Sequence, residues 1–133
     1  MGLFSGKRPA DLGVNNGALK AAPSSPNAVS SQAKGGYHRI APLTYEGAQE
    51  QAIETLKAII NSTPKARIVE TKSDYVYAEY ASALLGFVDD VEFYFPPETH
   101  IIHVRSASRL GHSDLGVNRK RIEAIRARLL QSA

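Results

Sequence analysis

Two strand-like segments joined by a double-proline turn constrain the fold of this chain most strongly. Residues 88–95 alternate apolar and polar side chains, residues 101–108 begin Ile-Ile-His-Val, and Pro96-Pro97-Glu98-Thr99 lies between them. Side chains alternate between the two faces of a strand, and adjacent prolines cannot continue a central ladder. The pattern therefore predicts an antiparallel hairpin with one apolar face and one charged face.

A register follows for this hairpin, because a slip of one residue would turn the apolar set to water. Matching the apolar faces across a four-residue turn predicts the cross-strand partners Phe93–Ile102 and Val91–Val104 on one face, and Asp90–Arg105 and Glu92–His103 on the other. The charged face should therefore carry a ladder of opposite charges.

Two amphipathic segments are typical of helices. Residues 45–62 place Ala48, Ala52, Ile53, Leu56, Ile59 and Ile60 on one stripe. We expect Thr44 to be the N-cap of this helix and Pro64 to end it. A second helix is predicted over residues 118–130, with Asn118 as N-cap and Ile122, Ile125 and Leu129 buried. Its first turn carries three cations against the helix dipole, so Asp114 or a bound anion should compensate them.

The remaining patterns complete an α+β fold. Residues 67–71 and 75–82 read as two further strands, and residues 37–43 as an edge strand. We predict an antiparallel sheet of four or five strands with both helices on one face. Residues 37–133 form this α+β domain, and residues 1–36, rich in Gly, Pro, Ser and Asn, form either a flexible tail or an extended arm that packs on it.

Composition excludes several classes of protein. The chain has 133 residues, enough for one domain, and no cysteine, so it has no disulfide framework, Cys–zinc site or catalytic thiol. No apolar run approaches the ~20 residues needed to cross a bilayer, and the N-terminus lacks a signal-peptide pattern. We therefore expect a cytoplasmic protein without a membrane span.

The formal net charge of +3 is concentrated near the C-terminus, where residues 119–128 hold five cations and one acid. Such a run indicates either an anionic partner or the solvated face of a terminal helix.

Several long segments, taken together, resemble the DUF1499 family, a family of unknown function found in bacteria and photosynthetic lineages. The resemblance is carried by Phe87-Val88-Asp89-Asp90-Val91-Glu92-Phe93, by Val104-Arg105-Ser106-Ala107-Ser108-Arg109, by Gly111-His112-Ser113-Asp114-Leu115-Gly116-Val117-Asn118-Arg119-Lys120-Arg121, and by Pro26-Asn27 with Val29-Ser30-Ser31. It implies that the Gly/Pro-rich N-terminal stretch belongs to the domain. It implies no substrate and no catalytic residue.

Two clusters are candidates for a site. Asp90 and Glu92, about 7 Å apart along one strand face, could act with His103 in acid–base catalysis or hold a cation; the same residues could equally be a structural charge ladder. The second cluster could surround an oxyanion, or could tie its loop to Asp89, Asp90 or Asp114. It comprises Arg105, Ser108, Arg109, His112, Asn118, Arg119 and Arg121, with Ser106 beside them.

Other chemistries lack their motifs. The four histidines have no metal-ligand spacing, and Gly-x-Ser-x-Gly, the Rossmann glycines and the P-loop do not occur. The basic residues lie apart from the paired tyrosines, which argues against nucleic-acid binding. We predict a non-catalytic binding or scaffold module, without metal or cofactor, that recognises an anionic small molecule or an acidic protein surface. The alternative is a hydrolase-like acid–base enzyme that uses Asp90, Glu92 and His103.

Overall fold

A computed structural model describes residues 5–82 and 86–132 of the chain. Its strands are β1 (Ala28–Ser30), β2 (Leu43–Thr44), β3 (Ala66–Lys72), β4 (Tyr75–Ala81), β5 (Val88–Tyr94) and β6 (Ile101–Ser108). Its α-helices are α1 (Gln49–Asn61) and α2 (Val117–Gln131), and a 3-10 turn spans Gly36–His38. The strands form an antiparallel sheet in the order β1-β6-β5-β4-β3, with β2 also paired to β6.

The predicted α+β class is confirmed, and the sheet has six strands because two short segments before α1 pair with β6. β1 pairs with residues 105–107 and β2 with residues 101–102. The edge strand expected over residues 37–43 was wrong: a 3-10 turn occupies its start, Arg39 forms only an isolated bridge with Ser30, and the strand β2 is limited to Leu43 and Thr44. The 3-10 turn includes Tyr37 and His38, and Pro42 has no N–H for a ladder, so this segment is not a continuous strand.

Both helices begin at residues other than those expected. Thr44 lies in β2 and does not cap α1, which starts at Gln49 after Gly47, a residue with a φ of 80°. Asn118 is not an N-cap either, because α2 begins at Val117 and buries Asn118 completely. The buried stripes themselves agree with the sequence pattern, with Ala52, Ile53, Leu56, Ile59 and Ile60 in α1 and Ile122, Ile125 and Leu129 in α2.

In the hairpin of β5 and β6, each side chain lies on the predicted face of the sheet, but the register between the two strands is shifted by two residues. Its actual pairs are Phe93–Val104, Glu92–Arg105, Tyr94–His103 and Asp90–Ala107. The predicted partners Asp90–Arg105 and Glu92–His103 were therefore wrong. The cause is the connection, which runs over residues 95–100 instead of four residues and includes two left-handed positions, Glu98 and His100.

Different parts of the chain pack on the two faces of the sheet. Helices α1 and α2 pack on the face that carries Val76, Val91, Phe93 and Val104, and this forms the main hydrophobic core. On the opposite face, residues 5–23, here called the strap, lie across β4, β5 and β6. Leu19 of the strap is buried against Tyr75 and Tyr77. No helix in residues 5–82 or 86–132 has the length and apolar character that a bilayer crossing requires.

Candidate functional site

A layer of polar side chains lies between the strap and the sheet. It arises because alternate residues of β4, β5 and β6 point away from the helices. We call this set the polar layer; its members are Tyr75, Tyr77, Glu79, Asp90, Glu92, Arg105 and Arg109. Burying so many polar groups is costly unless each finds a partner, so their hydrogen bonds show which of them are already committed.

Arg109 is held mainly by two carboxylates, those of Asp90 and Glu79. Its Nε donates to Asp90 Oδ2 at 2.9 Å and its Nη2 to Asp90 Oδ1 at 2.8 Å, a two-point contact, and Nη2 also reaches Glu79. The Arg109 side chain is 3% exposed, and its hydrogen bonds to Asp90 raise its pKa. Tyr77 adds a hydroxyl hydrogen bond to Asp90. Both oxygens of Asp90 are therefore occupied within the protein.

Glu92 is only half satisfied. Its Oε2 accepts hydrogen bonds from the Tyr75 hydroxyl at 2.6 Å and from the backbone N–H of Gly13, in the strap, at 2.7 Å. Its Oε1 is buried without a hydrogen-bond partner. Burial raises the pKa of Glu92, although these hydrogen bonds and the nearby Arg105 act in the opposite direction.

Arg105 lies opposite Glu92 and is the least satisfied cation of the layer. Its side chain is 5% exposed, its Nη1 stands 4.0 Å from Glu92 Oε1, and its Nη2 donates to Ala21 O at a long 3.4 Å. Its Nε is buried without a partner. A guanidinium has five N–H donors, so most of the hydrogen-bonding capacity of Arg105 is unused by the described residues. Burial accordingly lowers its pKa.

A cleft of about 280 Å³ opens beside Arg105, between the strap and the edge of the polar layer. The strap supplies one wall, and β5, β6 and the residues flanking them supply the other. The lining residues are Lys7, Pro9, Lys20, Ala21, Pro23, Asn27, Asp90, Arg105, Ala107, Ser108 and Arg109. Arg105, Ser108 and Arg109, three of the predicted ligand-binding residues, thus meet at one concave surface.

Charge in and around this cleft is unbalanced. Ion pairs and lining positions bring together the cations Lys7, Arg8, Lys20, Arg67, Arg105 and Arg109 and the acids Asp11, Glu79, Asp90 and Glu92. Six cations face four carboxylates, which leaves two positive charges uncompensated. Lys7 has no ion pair with any residue that the structure describes.

Asn118 and Arg121 belong to a second cluster, which fixes the start of α2. Asn118 Nδ2 donates to Asp114 Oδ2 at 2.8 Å and to Ser108 Oγ at 2.9 Å, while its Oδ1 accepts from Arg121 Nη1 at 2.8 Å and from Ser106. Arg121 also pairs with Asp89 at 2.8 Å and stacks over the ring of Tyr80. These groups satisfy one another, so the cluster ties α2 to β5 and β6.

Asp114 compensates the N-terminus of α2, as the sequence suggested. Its Oδ2 accepts from Asn118 N at 3.2 Å and its Oδ1 from Gly116 N at 2.9 Å. Burial works to raise the pKa of Asp114, but the hydrogen bonds from Tyr37, Asn118 and Gly116 together lower it. A bound anion is therefore not needed at this helix end.

The remaining predicted residues lie outside the cleft. Arg119 donates to the backbone oxygens of Arg39 and Tyr37, and its guanidinium lies over the Tyr37 ring. His112 is exposed on the loop before α2. Their part in ligand binding stays a prediction.

His103, the third member of the acid–base set, is separated from the two carboxylates by its hydrogen bonding. It lies opposite Tyr94, and its Nδ1 is bonded to Ser31 Oγ at 2.9 Å. Burial lowers its pKa, and the positive charge of Arg39 acts in the same direction. Asp90 is held by Arg109 and Glu92 by Tyr75 and Gly13, and no hydrogen bond among the described residues joins His103 to either carboxylate. The acid–base role of the three residues stays a prediction.

The strap residues of the cleft were not found from the sequence. Lys7 and Lys20 lie in a segment without periodicity, and the family resemblance implied that this segment belongs to the domain without indicating which of its residues line a cleft. No group of three or more His, Cys, Asp or Glu side chains with metal-binding geometry occurs within residues 5–82 and 86–132.

Comparison with known proteins places this architecture in a family. No curated protein and no solved structure matches the chain. The family described as DUF1499, protein of unknown function, matches residues 18–129. This span holds α1, all six strands, α2 except its last two residues, and every cleft residue except Lys7 and Pro9. The chain belongs to the DUF1499 family.

Proposed function

We propose that this protein binds a small anion in the cleft between the strap and the sheet, with Arg105 as the anchoring group. The observation that carries the proposal is the Arg105 guanidinium, buried in the cleft wall with its Nε unpartnered. A buried donor without a partner costs roughly 1–3 kcal/mol, and more when it is charged. An anion in the cleft would neutralise this guanidinium and supply acceptors for its unused Nη donors.

Electrostatics around the cleft support an anion over a cation. The lining holds the four cations Lys7, Lys20, Arg105 and Arg109 and the single acid Asp90, and charges beside a partly desolvated wall interact more strongly than in water. Arg109 and Asp90 neutralise each other, so their contribution is to shape the wall.

The concave form of the site favours a small molecule over an acidic protein surface. A cleft of about 280 Å³ lies at the lower end of the range of small-ligand sites. A protein partner usually covers about 800 Å² of each surface. The binding module expected from the sequence is thus proposed to bind a compact anion.

The test is a ligand titration at constant ionic strength. Acetate, benzoate and inorganic phosphate are added to the full chain while the Arg105 Nε–Hε resonance is followed by NMR and the melting temperature by fluorescence. We expect saturable shifts of the Arg105 resonance and a rise in Tm with at least one anion. An unchanged Arg105 resonance with all three would overturn the proposal.

A variant pair separates binding from general charge. Arg105→Gln removes the anchoring charge, and Arg126→Gln removes an arginine of α2 that pairs with Glu123 outside the cleft. We expect anion-induced stabilisation to be lost in Arg105→Gln and kept in Arg126→Gln. Equal loss in both would indicate non-specific screening. The wild-type NMR titration remains decisive if Arg105→Gln does not fold.

A further inference from the structure

We infer that the ligand is a short dianion with two separated anionic groups, an inner carboxylate on Arg105 and an outer group between Lys7 and Lys20. The inference rests on the proposed function, because it specifies which anion the same cleft accepts.

The cations of the cleft lie at two depths. The Arg105 side chain is 5% exposed and forms part of the inner wall. The Lys20 side chain is 36% exposed and Lys7 is an exposed residue, so both ammonium groups lie at the rim. A ligand with a single charge would reach one level and leave the other cations in water. A ligand with charges at both ends engages both levels.

Apolar groups lie in the same walls. Pro9, Ala21 and Pro23 of the strap and Ala107 of β6 line the cleft beside the charged residues. These side chains offer no hydrogen bonds, so they suit the methylene groups of a short hydrocarbon chain. The lining thus fits a compound with polar ends and an apolar middle.

The inner end favours a single negative charge. Glu92 Oε1 lies 4.0 Å from Arg105 Nη1, and Asp90 also lines the cleft. A doubly charged phosphate next to Arg105 would meet these carboxylates at close range, which disfavours like charges. A carboxylate matches the planar guanidinium and brings only one charge.

The rim can accept the second charge. Lys7 has no ion pair among the described residues, and Lys20 pairs at 2.9 Å with Asp11, whose side chain is 66% exposed. An exposed pair of this kind is weak, so an outer carboxylate competes readily for Lys20.

The size of the cleft, about 280 Å³, favours a short ligand. Dicarboxylates of four to six carbons have about eight to ten non-hydrogen atoms and form a graded series of lengths with which to test it.

The test is isothermal titration calorimetry of the full chain at fixed ionic strength. Succinate, glutarate and adipate are compared with butyrate, valerate and hexanoate, which have the same chain lengths and one carboxylate. We expect the best dicarboxylate to bind about tenfold more tightly than its monocarboxylate, since two exposed ion pairs contribute that much.

The variant Lys7→Gln/Lys20→Gln should abolish this tenfold preference, because it weakens dicarboxylate binding about tenfold more than monocarboxylate binding. Lys34→Gln/Lys120→Gln is the matched control, because it removes two exposed lysines that do not line the cleft. Equal affinity for both ligand series would overturn the dianion inference and leave the anion-binding function standing. Binding of neither series, with the Arg105 resonance unchanged, would overturn both.

Discussion

Glu92 and Arg105 face each other across β5 and β6 with 4.0 Å between Glu92 Oε1 and Arg105 Nη1, and each keeps one buried polar atom without a partner. A well-formed buried ion pair normally uses both groups fully, because desolvation is compensated only by good geometry and further hydrogen bonds. The hydrogen bonding of this pair is incomplete, and Arg105 lies beside the cleft. Packing of the hydrophobic core does not account for the unpaired atoms of Glu92 and Arg105.

The raised pKa of Glu92 predicts a particular dependence of stability on pH. A carboxyl group whose pKa is higher in the folded state than in the unfolded state holds its proton more tightly when folded. Its contribution therefore favours folding at low pH and declines as pH rises from the unfolded pKa through the raised one. We expect Glu92→Gln to improve stability relative to wild type more at pH 7.5 than at pH 4, as measured by urea unfolding.

Asp114 provides the opposite control, because its pKa is lowered in the folded protein. Its contribution is present at neutral pH and is lost as pH falls through the folded pKa. Asp114→Asn should therefore destabilise the protein at pH 7.5 more than at acid pH. If the two variants respond to pH with the same sign, the assignment of Glu92 is wrong.

Arg109 is predicted to stabilise the fold, with no role as a ligand contact. Arg109→Ala leaves Asp90 buried without its cation, a change that typically costs 3–5 kcal/mol. Arg67→Ala is a matched control, since Arg67 shares the partner Glu79 but is 69% exposed, and should cost below about 1 kcal/mol. Measuring the free energy of unfolding of both variants tests whether the Asp90–Arg109 pair stabilises the fold. Similar small losses would show that the Asp90–Arg109 pair contributes little.

The sequence predicted the fold class, the buried helix stripes and the parity of the final hairpin, because all three follow from periodicity. It could not predict the register of β5 and β6, since the number of residues in the turn depends on left-handed positions at Glu98 and His100. Strand pairing by residues 28–30 was hidden for another reason: three residues are too few to show alternation.

The cleft was predictable in part. Arg105, Ser108 and Arg109 were identified because polar groups of fixed geometry are unusual in so short a stretch. The two arginines differ in hydrogen bonding: Arg109 is paired with carboxylates, whereas most donors of Arg105 are unused. This difference depends on the two-residue shift in register, which places Arg105 opposite Glu92 instead of Asp90. Lys7 and Lys20 come to the cleft through long-range packing of the strap, which no local pattern encodes.

Asn118 is predicted to be essential for docking α2. Asn118→Ala deletes the side chain that bonds Asp114, Ser106, Ser108 and Arg121, and leaves several buried groups without partners. We expect a loss of about 2–3 kcal/mol in the free energy of unfolding. Lys120→Ala, an exposed change in the same helical turn, should alter it by less than about 0.5 kcal/mol. Stability of Asn118→Ala within that same range would contradict the proposed docking role.

The strap is predicted to open more readily than the sheet and to close when the cleft is filled. Within the described residues, its backbone–backbone hydrogen bonds are internal ones between Asn15 and Ala18. Its hydrogen bonds to the rest of the chain are made through side chains, those of Glu79, Glu92 and Arg105 in the sheet and that of Gln32 after β1. Segments with few backbone bonds to the core open locally at low cost. Trypsin should therefore cut first after Lys7 or Lys20, since Pro9 blocks cleavage after Arg8, and glutarate should slow these cuts. Leu19→Ala, which removes the buried anchor against Tyr75 and Tyr77, should speed them, whereas Val14→Ala at an exposed position should not. Cleavage rates that respond equally to both variants would mean that Leu19 does not hold the strap closed.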